Sequence, residues 1–379
     1  MKKNLIALAV FGAFSGAALA QSNVTLYGVI DVGFQYIDPS ASGAASTRGI
    51  NSGIQSGNRW GLRGSEALSP NLNAVFTIEG GFSLDTGTLG QASAACAGTP
   101  ISPTNSVICS GASQNRLFGR QAWGGLSGAW GTVVGGRLAT FSSGTGSFDM
   151  YGTVDPFGTG FAGNGGLIFS SANSLRIDNS VLYQSPTFGG FKFGAGYSFN
   201  ASGPEVAGSG NNLDIWFTGV SFAAGPFWGA VTYDKFDIPG ASDDQANLQV
   251  GATFDLKFVK LHAGYAKEDN QRVFNSVGIT SGADADAWMA GFTVPLAGGA
   301  LWGSYQRYDG DRVTFAPTGT GAITFDERDV KIWGVGFSYP LSRRTNIYTA
   351  FARYDGDHTL NNSTGFDRKA YSVGMRHSF

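Results

Sequence analysis

Apolar and polar positions alternate one by one along most of this chain. In the segment 191–199, Phe191, Phe193, Ala195, Tyr197 and Phe199 share one parity, and Lys192, Gly194, Gly196 and Ser198 the other. Leu248, Val250, Ala252 and Phe254 alternate with Asn247, Gln249, Gly251 and Thr253. The last segment sets Tyr371, Val373, Met375, His377 and Phe379 against Ser372, Gly374, Arg376 and Ser378. Side chains of a strand point to opposite faces in turn, so each run predicts a strand with one apolar and one small or polar face. Extended along the chain, the pattern predicts about 16 strands. They run over 24–36, 59–68, 72–84, 115–126, 132–138, 175–185, 191–199, 213–222, 227–236, 246–254, 259–266, 285–295, 301–308, 329–339, 346–354 and 367–379. Tight connections such as Ser69-Pro70-Asn71 alternate with long polar ones.

A soluble protein would pack the apolar faces against a core between layers, and the chain has too few apolar residues left for one. A closed barrel solves the problem: lipid meets the apolar face, water the polar face, and every backbone group pairs. The expected fold is therefore all-β, a 16-stranded antiparallel transmembrane β-barrel with short periplasmic turns and long outer loops. Aromatic rings gather at strand ends, as interfacial girdles do, which weakens a soluble two-sheet sandwich. Loop lengths are irregular, so no solenoid is indicated. With 58 Gly and 29 Phe but only 14% charged residues, the composition disfavours helices. Mean hydropathy of −0.03 fits strands with equal lipid-facing and water-facing surfaces.

The N-terminus sets the compartment. Lys2 and Lys3 precede an apolar stretch, Leu5 to Ala18, and Ala18-Leu19-Ala20 fits a cleavage site. Residues 1–20 read as a secretory signal peptide and 21–379 as the barrel domain. The balance of 25 basic and 27 acidic residues gives no sign of nucleic acid as a partner. Cys96 and Cys109 lie in one Ser/Gly/Ala/Thr-rich segment, and export to an oxidising compartment predicts a disulfide between them. In the chain-entropy picture such a loop of about 15 residues gains about 3 kcal/mol. Neither a metal nor a cofactor is indicated.

A barrel of this size leaves an aqueous channel whose properties depend on what narrows it. The segment 139–173 carries Phe141, Phe148, Met150, Tyr151, Phe157 and Phe161, too apolar for a free surface loop, and is expected to fold inward. Arg59 and Arg63 share a parity, Arg120 and Arg137 lie on the strands before that loop, and Arg176 opens the strand after it. Arginine is costly at mid-depth in lipid, so these five are expected to line the positive side of the constriction. Asp149, Asp155 and Glu79 are expected to oppose them, which sets a transverse field across the water path. Trp60 and Trp123 are expected to face lipid.

Several motifs carry a resemblance. Asn58-Arg-Trp-Gly-Leu-Arg-Gly-Ser-Glu66 and Val24-Thr-Leu-Tyr-Gly-Val-Ile-Asp31 resemble the first strands of general diffusion porins of the betaproteobacterial type. Asp178-Asn-Ser-Val-Leu-Tyr183 resembles that family's strand after the constriction loop. The resemblance implies a homotrimer, the third loop folded into each pore, and passive diffusion of small hydrophilic solutes. It implies an arginine cluster at Arg59, Arg120 and Arg176, with some anion preference. It also implies that the aromatic C-terminal strand, with Tyr371 and Phe379, is read by the barrel-assembly machinery, and that the outer wall meets lipid and lipopolysaccharide. The Cys-bearing loop is atypical of the family.

Two other classes fit less well. A barrel enzyme needs a convergent nucleophile, base and orienting group. The chain has only His262, His358 and His377, and Asp357-His358 stands without a serine elbow. A closed structural barrel or adhesin would need a bulky plug, and none is visible. A substrate-specific channel is the nearer alternative.

Overall fold

The computed structural model describes residues 23–39, 45–90, 116–152, 154–158, 176–201, 205, 207, 212–237, 243–271, 274–275, 278–279, 283–311, 313–315, 323–325, 329–356 and 367–379. The expected signal peptide, Cys96, Cys109 and His358 lie outside these residues. Sixteen strands among the described residues form the wall of a closed antiparallel barrel. The first eight are β1 (Asn23–Pro39), β2 (Arg59–Ser69), β3 (Leu72–Phe82), β4 (Gln121–Gly128), β5 (Gly131–Ala139), β6 (Arg176–Gln184), β7 (Phe191–Ser198) and β8 (Asp214–Ala224). The second eight are β9 (Phe227–Asp237), β10 (Gln245–Asp255), β11 (Lys260–Gln271), β12 (Ala283–Leu296), β13 (Gly299–Gly310), β14 (Val330–Pro340), β15 (Thr345–Gly356) and β16 (Arg368–Ser378).

Each strand pairs with its sequence neighbours, and β16 closes on β1 from Val29↔Ser378 to Pro39↔Arg368. Two backbone hydrogen bonds between Gly28 and Phe379, both 3.1 Å, end that seam. The short Thr47–Ser52 strand of the first loop adds to the upper half of β1. Tight turns gather at the end of the barrel that holds Asn23 and Phe379. At the β12–β13 hairpin Ala297 (φ 50°) and Gly298 (φ 79°) both take left-handed φ, as a two-residue type I′ turn requires.

Outward positions carry the apolar parity. On β9 they run Phe227, Val231, Tyr233, and on β14 Tyr339, Phe337, Val335, Trp333, so rings bracket an aliphatic band. Pairs such as Trp216–Tyr233 and Trp288–Tyr305, with centroids 5.2 Å apart, tie rings between adjacent strands of one belt. An internal core does exist, contrary to the simplest expectation, and it lies inside the barrel. Phe141, Phe148 and Met150 of the loop after β5 pack on Leu182, Ile215, Phe217 and Phe236 of the inner wall. A second cluster joins Tyr151 and Val154 to Met289, Tyr308 and Ile332.

Candidate pore constriction

The loop between β5 and β6, L3, folds inward and follows a track of inner-wall glycines. A Cβ on Gly194 would stand 2.4 Å from the Phe141 ring, on Gly251 2.4 Å from Val154, and on Gly334 2.8 Å from Phe157. Gly219, Gly264 and Gly291 meet Met150, Tyr151 and Pro156 in the same way. Glycine is what lets a backbone segment lie this close to a sheet. Polar tethers fix the path. Gln121 Oε1 accepts from Ser147 N and Oγ (3.1 and 2.9 Å), and Ser142 Oγ donates to Asp234. Tyr151 Oη donates to Val250 O (2.9 Å), His262 Nδ1 bonds Val154 O (2.8 Å), and Gln306 Nε2 donates to Asp155 Oδ2 (2.8 Å). L3 thus crosses the inner wall from β4 to β14.

A second inward segment, 53–58, meets it. Asp31 accepts from Ser56 N (2.6 Å) and from Tyr348 Oη (2.6 Å), and Gly53 N donates to Asp31 O (2.9 Å). Ile54 is buried with Phe157, Trp302 and Tyr348, so the two segments meet inside the barrel along the wall from β1 to β13. Sequence pattern alone places 53–58 in an ordinary loop. The signal that could have found it is Asp31, a lone carboxylate on the water-facing parity of β1.

Arg59, Arg63 and Glu79 lie on the lumen face: Arg59 is opposite Val29 and Gly81, and Glu79 is opposite Gly61. Glu79 does not oppose the arginines. It sits on their own wall, 2.6 Å from Arg120 Nε and 3.8 Å from Arg59 Nε, and accepts from Tyr27 Oη (2.9 Å). Arg59 Nη1 also donates to Ser56 Oγ and Gly57 O (3.1 and 2.8 Å). Arg176 Nη2 donates to Thr145 Oγ1 of L3 (3.1 Å), and Arg63 lies over the Tyr27 ring, 5.2 Å from its centroid.

Arg137 departs from expectation. Its register partner is Ala122, which pairs in turn with the outward Ile78, and its guanidinium binds Asp178 and the Gly119 carbonyl (2.8 Å). Water-facing parity on β5 belongs to Val134 and Leu138 instead. Val133 and Val134 are both apolar, so alternation alone does not choose the inner face of β5; the bulge at Asn179 (φ 48°) adds its extra residue to β6 and leaves the parity of β5 unbroken. Trp123 is the reverse case: it faces inward and packs on Phe148 with centroids 5.2 Å apart. Arg120 precedes the strand, which begins at Gln121, so counting parity from Arg120 misplaces the ring. Trp60 faces outward, edge-on to Phe118.

The two loop carboxylates are turned into structure. Asp149 accepts from the amides of Gly144, Tyr151 and Gly152 (3.0, 3.0 and 2.8 Å). Burial pushes its carboxyl above the usual range, against those backbone donors. Asp155 accepts from Phe157 N (2.9 Å) and Gln306, and borders a water-accessible cavity of about 490 Å³. Gly144 and Gly152 of L3, Gln55 and Ser56, and Arg376 of β16 line the same cavity. Arg376 is absent from the expected cluster, although its parity in the last strand marks it as water-facing.

The geometry is that of a wide β-barrel narrowed by L3 and the inward segment 53–58. The sequence profile of the Gram-negative porin family matches residues 7–359. The chain belongs to this porin family. An outer membrane porin of Bordetella pertussis is 33% identical over the full length of both chains, and outer membrane porin protein 32 of Delftia acidovorans is 29% identical, again over both full lengths. Among solved structures, the anion-selective porin from Comamonas acidovorans matches with a TM-score of 0.66 at 22% identity, covering 95% of this chain and all of that one. The trimer form of OmpT from Vibrio cholerae matches at 0.60 and 14% identity, over 94% and 99%. The porin is thus an outer-membrane protein of a Gram-negative bacterium, a channel and not an enzyme. Its water-filled lumen serves passive diffusion of small hydrophilic solutes.

Proposed function

We propose that this porin prefers anions, and that Arg59, Arg120, Arg176 and Arg376 set the preference. The observation that carries the reading is the placement of charge at the narrowing. Arg59 and Arg120 share one carboxylate, Glu79, and Arg176 and Arg376 form no ion pair among the described residues, while Asp149 and Asp155 are held against donors of the loop and wall. A net positive field in a narrow, low-dielectric passage raises the local concentration of anions. The likeness to an anion-selective porin from Comamonas acidovorans supports this reading by analogy. We extend the proposal to a homotrimer, with OmpT's trimer form as the precedent. Residues 1–20 serve as the signal peptide, Cys96 and Cys109 form a disulfide, and Tyr371 and Phe379 belong to the strand handed to the barrel-assembly machinery. Lipid and lipopolysaccharide cover the outer wall.

Reversal potential in a planar bilayer under a salt gradient tests the selectivity. Anion sign is expected, moving toward cations when Arg59, Arg120 and Arg176 become glutamine. A cation-sign potential from the unaltered protein overturns the arginine reading while leaving the porin intact. Three equal closing steps per inserted unit are expected of the trimer, and single steps would refute it.

A further inference from the structure

We infer that the periplasmic mouth of this pore holds a separate docking station for small multivalent anions such as phosphate, sulfate or a dicarboxylate. The inference rests on the channel reading but not on the selectivity of the narrowing. Below the constriction a second cavity, about 410 Å³, opens beside the β14–β15 turn, and Arg343, Arg344 and Arg376 contribute to its lining. Thr345, Asn346 and Gln55 add polar groups, and no carboxylate takes part in the lining. Asn346 Nδ2 donates to Gln55 Oε1 (2.8 Å), which holds the inward segment 53–58 against β15 as one wall.

The charge state of these arginines sets them apart. Arg59 and Arg120 share Glu79, and Arg116 and Arg137 share Asp178. Among the described residues, Arg343, Arg344 and Arg376 form no ion pair. Asp31 lies opposite Arg376 in register and attracts it from beyond ion-pair distance, while its oxygens accept from Tyr348 and Ser56. Guanidinium groups without an ion-pair partner around one concavity favour a ligand with two or more anionic oxygens, since each planar fork can bind a pair of them.

The station also connects. Arg376, Gln55, Ala300 and Ser338 border both this cavity and the larger one beside Asp155, so an anion held at the mouth is already on the path to the constriction. Two arginines on an exposed turn could instead serve the phosphates of the inner leaflet, and sidedness separates the two sources: a station in the water path responds to aqueous anion, a lipid clamp does not.

The test is single-channel recording of the full-length mature porin in dilute potassium chloride, with sodium sulfate or sodium phosphate added to one side at a time. Addition on the periplasmic side is expected to give a voltage-dependent partial block at lower concentration than addition on the outer side. Arg343→Gln with Arg344→Gln should weaken that block about fivefold or more, as removal of local cationic charge lowers anion occupancy. Lys257→Gln, a highly exposed cation on another periplasmic turn, should leave it in place. Equal block from both sides, or a block unchanged in the double variant, overturns the station. A folded protein that passes no current at all would instead refute the channel reading.

Discussion

Substituting Gly251 by alanine should loosen L3 from the wall, and the structure sets the size of the effect. The new Cβ would lie 2.4 Å from Val154 Cγ2, 2.9 Å from Cγ1 and 3.1 Å from Tyr151 Cε2. Carbon atoms settle at about 3.5–4.0 Å, so the loop must retreat by about 1 Å. Neither contact residue can yield alone, because Val154 and Tyr151 are almost fully buried. Overpacking of this kind costs about 1–3 kcal/mol. Retreat also stretches the Tyr151–Val250 and His262–Val154 hydrogen bonds, each worth about 0.5–1.5 kcal/mol. The expected total is about 2–4 kcal/mol against the docked loop, enough to change its resting position but not to open the barrel wall. The assay pairs single-channel conductance with thermal melting. Gly251→Ala should show altered conductance, added current noise and a lower melting temperature. Gly124→Ala, whose Cβ meets only Val75 O at 3.8 Å, serves as the control and should show none of these. If Gly251→Ala kept both the conductance and the melting temperature of the parent, L3 would not be seated on this glycine track.

Glu79→Gln should increase anion preference: one unit charge about 6 Å from the ion path in water is worth about 0.7 kcal/mol, roughly halved by screening. Acting oppositely on anions and cations, it should raise the permeability ratio about threefold, and an unmoved reversal potential would show that Glu79 is not felt by the permeating ion. Asp149 gives a pH prediction. Its folded carboxyl is raised, so its contribution is fully present below the unfolded value and lost as pH rises through the folded one. The melting temperature of Asp149→Asn relative to the parent should therefore be higher at neutral than at acid pH, and a pH-independent gap would contradict the sign. At the seam, a Cβ on Gly28 would stand 2.3 Å from the Phe379 ring, so Gly28→Ala should lower the yield of folded, heat-modifiable barrel; undiminished yield would argue against a tightly packed closure there.

Much of this porin was legible in one dimension. Strand existence, order and the outward faces follow from period-two alternation, because a lipid-facing sheet leaves a strict chemical trace: apolar residues outside, small or polar residues within. The inward course of L3 was legible too, since Phe141, Phe148, Tyr151 and Phe157 are too apolar to be left in water. Arg59 and Arg63 share a parity within an unbroken strand. What the sequence could not decide was anything that crosses the lumen or interrupts the ladder. Arg137 turned outward because it shares the parity of the exposed Val133, while Val134 and Leu138 face the loop, and both parities of β5 are apolar enough to hide the choice; Trp123 turned inward with its register partner Thr77. Glu79 pairs with Arg59 and Arg120 rather than facing them, a contact between β2, β3 and the residue before β4 that only hydrogen-bond register brings within 4 Å. The same holds for Arg376, delivered to the pore when the last strand pairs with the first, and for Ile54 meeting Phe157 inside the barrel. Alternation is a local property of the chain and is written in it residue by residue. The charge balance of the pore depends on which distant residues share a few ångströms of water, and that is settled by tertiary structure.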